Sequence, residues 1–585
     1  MCGIAGFFST GAAAPGEAVL RMAQAMAHRG PDGVHLHADG GPVALGHSRL
    51  AIIDLQTGDQ PLFWDGGRVL VANGEIYNDP TLREDLSGQP FRTRSDCETP
   101  LVWYGQDGAA FPQRLRGMFG IALYDPADGV MVLSRDPFGI KPLYLAETPQ
   151  GIAFASEAQA LVAGGFVTPQ VDRAKVTELL QLQFTTGDRL PVQGIQRLMP
   201  GETVVLKQGR IAERHHRDPL PDVITDIRDE DTAIALLDAA LENSVLAHQR
   251  SDVPYGMFLS GGIDSSAVLA LMARLNPQPV VAFTAGFPET AVHDERDHAR
   301  ALARHVGAEH HEVAITAADF WADLPRMVAA MDDPVADYAI VPTWILAREA
   351  RKQVRVILSG EGGDELFAGY GRYRSFCRPW PFARSMRRSG TFDGLGVLRD
   401  TGTGWRDGMA AAERRAAARY PDRLTRAQAI DIADWLPNDL LLKADRCLMA
   451  HGVEGRVPFL DPVVADVALR LHPSLRLRKK TGKYILRRWL ERVLPQAQPF
   501  APKKGFTVPV GEWIAADGAR VGALVAASPG VAEIAHPEAV RALFTASGKQ
   551  HRFAAWSLLF YALWHRRHIA GQAVDGPTLE VLAAG

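Results

Sequence analysis

Cysteine is scarce in this chain, with Cys2, Cys97, Cys377 and Cys447 the only four among 585 residues. They are too few and too scattered for a disulfide framework or for a zinc site of paired Cys-x-x-Cys motifs. A reducing compartment suits them, and Cys97, Cys377 and Cys447 read most simply as packed thiols. Long apolar runs are missing as well. No run reaches the roughly eighteen residues of a membrane span, and one of the longest, Phe553 to Trp564, is broken by Ser557. The opening MCGIAGFFST has no basic residue, the first arginine being Arg21, so it does not read as a secretory signal. An excess of either charge is absent too: 63 Lys plus Arg stand against 67 Asp plus Glu, a formal charge of -4. No chain-wide basic field exists for nucleic acid or anionic lipid. A cytoplasmic protein that binds neither nucleic acid nor membrane is expected.

What is present is the mixture of a folded chain, 47% hydrophobic and 22% charged. At about 150 residues per domain the length allows two to four units. Up to about residue 205, short β-type runs alternate with Gly, Pro, Asn and Asp punctuation: Gly3 to Phe8, Val43 to Leu50, Val69 to Ala72, Phe119 to Tyr124, Val130 to Ser134 and Ile152 to Ala155. One helical candidate, Glu17 to Ala27, lies among them, so packed and mostly antiparallel sheets are expected. From about residue 232, Ala/Leu/Arg-rich helical patterns alternate with short strands at Tyr255 to Leu259, Val280 to Thr284 and Val354 to Leu358. That alternation predicts an α/β domain with a parallel sheet. The polar stretch Gln208 to Asp229, with Pro219 and Pro221, shows neither period and reads as the junction. The expected division is 1–207, a linker at 208–231, and 232–585. Residues 380–430 are rich in Arg, Gly and Ala and carry little readable chemistry.

Removal of Met1 would leave Cys2 with both a thiol and a free α-amino group, whose ordinary pKa of about 7.7 to 8.0 suits a base near neutrality. A thiolate attacking a carboxamide builds charge on oxygen and needs donors in place. NGEIYN reads as a turn that offers the Asn73 side-chain amide and the Gly74 N–H. With Cys2, the segments RGPD (Arg29 to Asp32), SRLAIIDL (Ser48 to Leu55), NGEIYN (Asn73 to Asn78), SDCE (Ser95 to Glu98), RGMFGIALYD (Arg116 to Asp125), RDPFGIKPLY (Arg135 to Tyr144) and FASE (Phe154 to Glu157) occur in order. Together they resemble the class II glutamine amidotransferase domain, an N-terminal-nucleophile glutaminase with an αββα sandwich. The resemblance implies that Cys2 attacks the glutamine amide while Asn73 and Gly74 hold the oxyanion. It implies that Arg49 takes the α-carboxylate of glutamine, and that Glu75 and Asp96 take its α-ammonium. Taken singly, each of these charges would be an ordinary solvated side chain.

After the strand YGMFL comes SGGIDSS (Ser260 to Ser266), then Val268, Leu271, Met272 and Leu275 at helical spacing and Asn276-Pro277 as a stop. A strand, a glycine turn and a helix N-terminus suit a polyphosphate. The lysine motif of a Walker P-loop is absent. A second segment, LSGEGGDELFAGY (Leu358 to Tyr370), sets Glu361, Asp364 and Glu365 beside glycines. Carboxylates next to a polyphosphate call for Mg²⁺ between them.

The first loop resembles the pyrophosphate loop of ATP pyrophosphatases. Both loops, with DDPVADYAIVPT (Asp332 to Thr343), KADRCLMAHGVEGRVPFLD (Lys443 to Asp461) and GKYILR (Gly482 to Arg487), resemble the synthetase domain of glutamine-hydrolysing asparagine synthetases over roughly 235–515. The resemblance implies that Ser260, Gly261, Gly262, Asp264, Ser265 and Ser266 hold pyrophosphate, that Ser359 and Gly360 belong to the same ATP site, and that Asp264 and Asp364 bind Mg²⁺. Leu259, Phe283 and Thr284 would flank adenosine, and Glu295 would lie near the metal and phosphates. Glu361 would position or deprotonate the incoming nitrogen, and Lys483 would neutralise phosphate charge. Asp445 and Arg446 match a motif without a separable role. His310, His311 and Glu312 read as ordinary strand residues, since adjacent strand side chains face opposite ways.

The implied reaction activates a carboxylate, aspartate first of all, as an acyl adenylate and attacks it with ammonia moved through an internal passage. The same chemistry on a peptide, sugar acid or antibiotic precursor stays open, as do an RNA-modifying adenylase and a non-catalytic nitrogen sensor. The family allows a homodimer.

Overall fold

In the computed structural model of the chain, the described residues are 2–221, 226–288, 290, 292, 294–379, 381–502 and 507–584. Within them the N-terminal strands are β1 (Gly3–Ser9), β2 (Gly33–Ala38), β3 (Val43–Arg49), β4 (Leu62–Phe63), β5 (Val69–Ile76), β6 (Gly117–Asp125), β7 (Val130–Arg135), β8 (Tyr144–Thr148), β9 (Gly151–Ala155), β10 (Gln196–Arg197), β11 (Glu202–Lys207) and β12 (Arg210–His216). They form two antiparallel sheets, ordered β10-β8-β9-β1-β3-β2 and β12-β11-β7-β6-β5-β4. Side chains alternate between faces along a strand. On β1, Ile4 and Phe8 therefore enter the core between the sheets with Leu45, Val71 and Leu133. Ala5 and Phe7 face outward and pack with Val19 and Met22 of the helix Gly16–Ala25. Every residue of β1 is buried because both faces are covered. The outer face of the second sheet is covered by the helices Asp79–Asp85 and Glu98–Asp107. The expected αββα sandwich is present.

Three readings of this half are corrected. The single helical candidate has companions at Asp79–Asp85, Glu98–Asp107, Ala158–Ala163 and Arg173–Leu182. In Glu98–Asp107, residues Glu98 to Tyr104 are all buried, so no one-sided apolar period marked it as a helix. Only the end of NGEIYN is a turn: Asn73, Gly74, Glu75 and Ile76 complete β5 and pair with β6, and the turn is confined to Tyr77 and Asn78. The stretch read as a periodless junction holds β12, which pairs with β11. Residues 222–225 of that junction lie outside the described residues.

The second half builds a five-stranded sheet from β13 (Tyr255–Phe258), β14 (Val281–Gly286), β15 (Glu309–Ala314), β16 (Val356–Leu358) and β17 (Glu454–Arg456). Its order is β15-β14-β13-β16-β17, with all pairs parallel. From the central β13 the chain first moves outward to β14 and β15, and then returns to the other side for β16 and β17. The loops after β13 and β16 thus emerge side by side at the switch point, where open parallel sheets bind ligands. The apolar tract at 553–564 falls in the helix Lys549–His568, buried from Ala554 to Trp564. Among the described residues no helix is long and apolar enough to cross a membrane. The unread Arg/Ala segment contributes the helix Asp407–Arg419.

Buried charges join the halves. Arg29 is fully buried and donates from Nη1 to Glu157 (2.9 Å) and Asp445 (2.8 Å), from Nη2 to Asp445 (3.0 Å), and from Nε to the Cys2 carbonyl (3.2 Å). Arg446 donates to Asp332 (2.7 Å) and to the Tyr144 hydroxyl (3.1 Å). Asp445 and Arg446 thus stand in the contact between the halves. Burial raises the Asp445 carboxyl, but the Arg29 guanidinium overrides it and holds the group below its usual range. Arg29→Met would remove the guanidinium that Asp445 and Glu157 share, leaving Asp445 to Arg446 (3.1 Å) and Glu157 to His28 (3.0 Å). It should cost about 3–5 kcal/mol of stability, read by chemical denaturation, and a loss under about 1 kcal/mol would contradict this account.

Candidate active site

Cys2 precedes β1 and is buried. Its backbone N–H donates to Asn73 Oδ1 at 3.1 Å, and its Sγ lies 4.0 Å from the Leu50 carbonyl. Burial pushes the thiol above its ordinary pKa, so attack needs a nearby base. Asn73 is fully buried, and its Nδ2 has no hydrogen-bond partner among the described residues. That donor is ready for a developing oxyanion. The amides of Ala72 and Ile76 point off the edge of β5 away from β6, to Gln60 Oε1 and Asp96 Oδ2, each at 2.6 Å. By strand alternation the Gly74 N–H points to the same edge. Position 74 has to be glycine, because a Cβ there would sit 2.2 Å from the Met118 carbonyl.

Glu75 and Asp96 are both buried near this edge. Burial drives both carboxyls upward, Asp96 to about 6, and in Glu75 the neighbouring Asp96 charge adds to the rise. Glu75 Oε2 accepts from Arg456 at 3.0 Å, while its Oε1 is buried with no hydrogen-bond partner among the described residues. Two crowded carboxylates with a spare acceptor fit an incoming ammonium. Arg49 ends β3 and donates to Asp59 Oδ1 and the Asp54 carbonyl, each at 2.6 Å. Binding a substrate carboxylate would require it to exchange these partners. An ammonium needs Asp96 ionised, and the ionised fraction falls as pH drops through about 6. Glutamine affinity should then fall about tenfold per pH unit below that point. Calorimetry on Cys2→Ala protein from about pH 8 to 5 reads this apart from the catalytic base, and a flat profile would exclude the role of Asp96.

At the switch point a cavity of about 380 Å³ is lined by Ser260, Gly261, Gly262, Asp264, Glu295, Asp364 and Lys483, among others. The two loops press together so closely that a Cβ at Gly360 would lie 2.8 Å from Asp264 Cβ. Lys483 Nζ binds Asp264 and lies 2.6 Å from Asp364. Burial lowers the ammonium, but the two carboxylates override this and hold it above its usual range. Lys483 also has φ 55, an uncommon backbone conformation for a side chain other than glycine. Two aspartates that converge on one cation are a donor set suited to a divalent ion shared with phosphates.

The other sites expected from sequence are less exposed to this cavity. Ser265 Oγ bonds the Ser260 hydroxyl (3.1 Å) and the Gly262 carbonyl (3.1 Å), which shapes the loop. Ser266 is fully buried in the following helix. Leu259, Phe283 and Thr284 meet at the ends of β13 and β14, but they are buried and do not line the cavity. The Thr284 hydroxyl donates to the Leu259 carbonyl at 2.6 Å. Glu361 lies near Lys443, whose ammonium is lowered by burial and raised more by Asp337, Asp439 and Glu361. His310 bonds Thr284 and His311 stacks on Phe283, and no cluster of three metal-ligating side chains occurs among the described residues. Cys97 and Cys447 are buried thiols.

Arg456 and Glu454 escaped the sequence reading. They lie on β17, in the sheet of the second half, yet reach the first site. The segment VEGRVPFLD was visible, but nothing local says that its arginine meets Glu75, 381 positions away.

Fold and sites together define a class: a two-site amidotransferase, with a glutaminase sandwich docked on a nucleotide-using parallel-sheet domain. A family model for a glutamine amidotransferase domain matches residues 1–217, and one for asparagine synthase matches 236–566. A relative from Mycobacterium tuberculosis is 37% identical over 640 aligned positions, covering 97% of each chain, and asparagine synthetase 1 (glutamine-hydrolyzing) of Bacillus subtilis is 34% identical over 88% of each. The chain belongs to the glutamine-hydrolysing asparagine synthetase family, ligases that take their amide nitrogen from glutamine.

Proposed function

We propose that the protein converts L-aspartate, L-glutamine, ATP and water into L-asparagine, L-glutamate, AMP and diphosphate, through an aspartyl adenylate. The observation that carries this reading is the pairing of an oxyanion-ready Cys2 site with a cavity in which two aspartates converge on one cation. Once Met1 is removed, the Cys2 amine lies beside Asn73 Oδ1 and serves as the base for its own thiol. Asn73 Nδ2 and the Gly74 N–H receive the oxyanion, while Glu75, Asp96 and Arg49 hold the amino-acid end of glutamine.

In the second site Asp264 and Asp364 would hold Mg²⁺, which when bound offsets the charge of the triphosphate. The SGGIDSS loop carries the phosphates on its backbone N–H groups. Lys483 shifts from its two aspartates toward the phosphate oxygens as charge moves to the leaving diphosphate. Glu361, with a buried Oε2 lacking a hydrogen-bond partner among the described residues, receives a proton from the attacking nitrogen. Ammonia attacks only as the neutral molecule, and water would hydrolyse the adenylate, so transfer runs through the contact between the halves. The nearness of the sites supports this: one side chain and one backbone bond, Arg456 to Glu75 and Arg456 to Ser359, span them. Four unpaired thiols fit a reducing cytoplasm, and a homodimer is compatible with this reading.

The test is the nucleotide product. Purified protein with the three substrates should release AMP and diphosphate in step with asparagine, whereas ADP would overturn the mechanism. AMP release with another acid in place of aspartate would overturn the acceptor.

A further inference from the structure

Arg456 touches both sites with different parts of itself. Its guanidinium is fully buried and held like a fork: Nε donates to Glu454 (2.5 Å), Nη1 to the carbonyls of His248 (2.8 Å) and Arg250 (2.6 Å), and Nη2 to Glu75 (3.0 Å). Its backbone carbonyl accepts the N–H of Ser359 at 2.9 Å, the first residue of the SGEGGDE loop. Between these ends lies only the parallel pairing of β17 with β16, in which Leu358 stands opposite Arg456.

We propose that Arg456 is a positioning residue that couples glutamine occupancy to the nucleotide loop, so that glutamine and ATP each tighten the binding of the other. This rests on the glutamine and ATP readings of the two sites. A guanidinium fixed at three other points cannot follow Glu75 freely, because its planar fork is rigid. When the substrate ammonium reaches Glu75 Oε1 and Asp96, the crowding of the two carboxylates is relieved and Glu75 settles as an ionised partner. The charge-assisted bond to Arg456 then strengthens. The strain or relief passes through the backbone of Arg456 itself to Ser359, whose neighbour Gly360 packs against Asp264. Binding linkage makes the effect reciprocal, and typical couplings are about 5- to 150-fold.

The experiment uses full-length Cys2→Ala protein, which cannot turn glutamine over. Its glutamine Kd is measured by calorimetry with and without saturating α,β-methylene-ATP and Mg²⁺. The analogue should lower the glutamine Kd by at least about fivefold. In Cys2→Ala protein that also carries Arg456→Lys or Arg456→Gln, that ratio should collapse to about one. Lysine keeps the charge but not the fork, so its failure to restore the ratio separates positioning from simple neutralisation. A ratio near one in the Cys2→Ala parent, or a ratio retained in either Arg456 variant, overturns the coupling alone. Absence of any glutamine binding to the parent overturns the glutamine-site reading and the coupling with it. Should the Arg456 variants not fold, amide hydrogen exchange over residues 354–364 of the parent decides: slower exchange with glutamine supports the proposal, and unchanged exchange overturns it.

Discussion

Cys2→Ala is expected to abolish glutamine-dependent product formation, by at least about 10³-fold, while activity with ammonium salts persists. The size follows from the chemistry. Alanine leaves no atom to attack the amide, and the proposed oxyanion donors Asn73 and Gly74 cannot supply a nucleophile. The selectivity follows from the structure, since the thiol lies in the sandwich while the proposed nucleotide cavity lies at the switch point of the other sheet. Glutamate release and AMP release, assayed separately with glutamine and with ammonium chloride, read the two halves. Loss of activity with both nitrogen sources would show that the sites do not act separately.

Lys483→Ala should produce the converse pattern. It removes the cation that Asp264 and Asp364 share, leaving two carboxylates facing each other in the cavity proposed for the polyphosphate. AMP release should fall by about 10² to 10³-fold with either nitrogen source, in the range of other losses of a preorganised charge. Glutamate release from glutamine should persist. Lys483→Arg should not rescue, because the ammonium fits as a compact point charge between the aspartates and a planar guanidinium has a different geometry. AMP release within about threefold of the parent in Lys483→Ala would remove Lys483 from the adenylation step.

Much of this was legible beforehand, for a physical reason. A strand, a Gly-Gly turn and a helix form a local unit, so SGGIDSS was readable as a strand-turn-helix loop within a few residues, and Ser260 to Gly262 line a cavity. The acidic SGEGGDE loop could be read in the same way. Other readings failed where local pattern and tertiary context part. NGEIYN looked like a turn because Asn and Gly usually mark one, yet Asn73 to Ile76 continue β5, where the glycine is needed for close approach to Met118 and Asn73 turns its amide toward Cys2. The helix Glu98–Asp107 had no apolar stripe because nearly all of its first two turns are buried.

The sequence by itself determined the family and the sandwich-plus-parallel-sheet architecture, since the motifs are contiguous stretches and strand periods are local. Only the tertiary structure decided how the two halves meet. Arg29 finds Asp445 across 416 positions and Arg456 finds Glu75 across 381. A residue's type does not report whether its charge is solvated or buried, and in this protein the docking of the two halves takes those charges out of water and binds one site to the other.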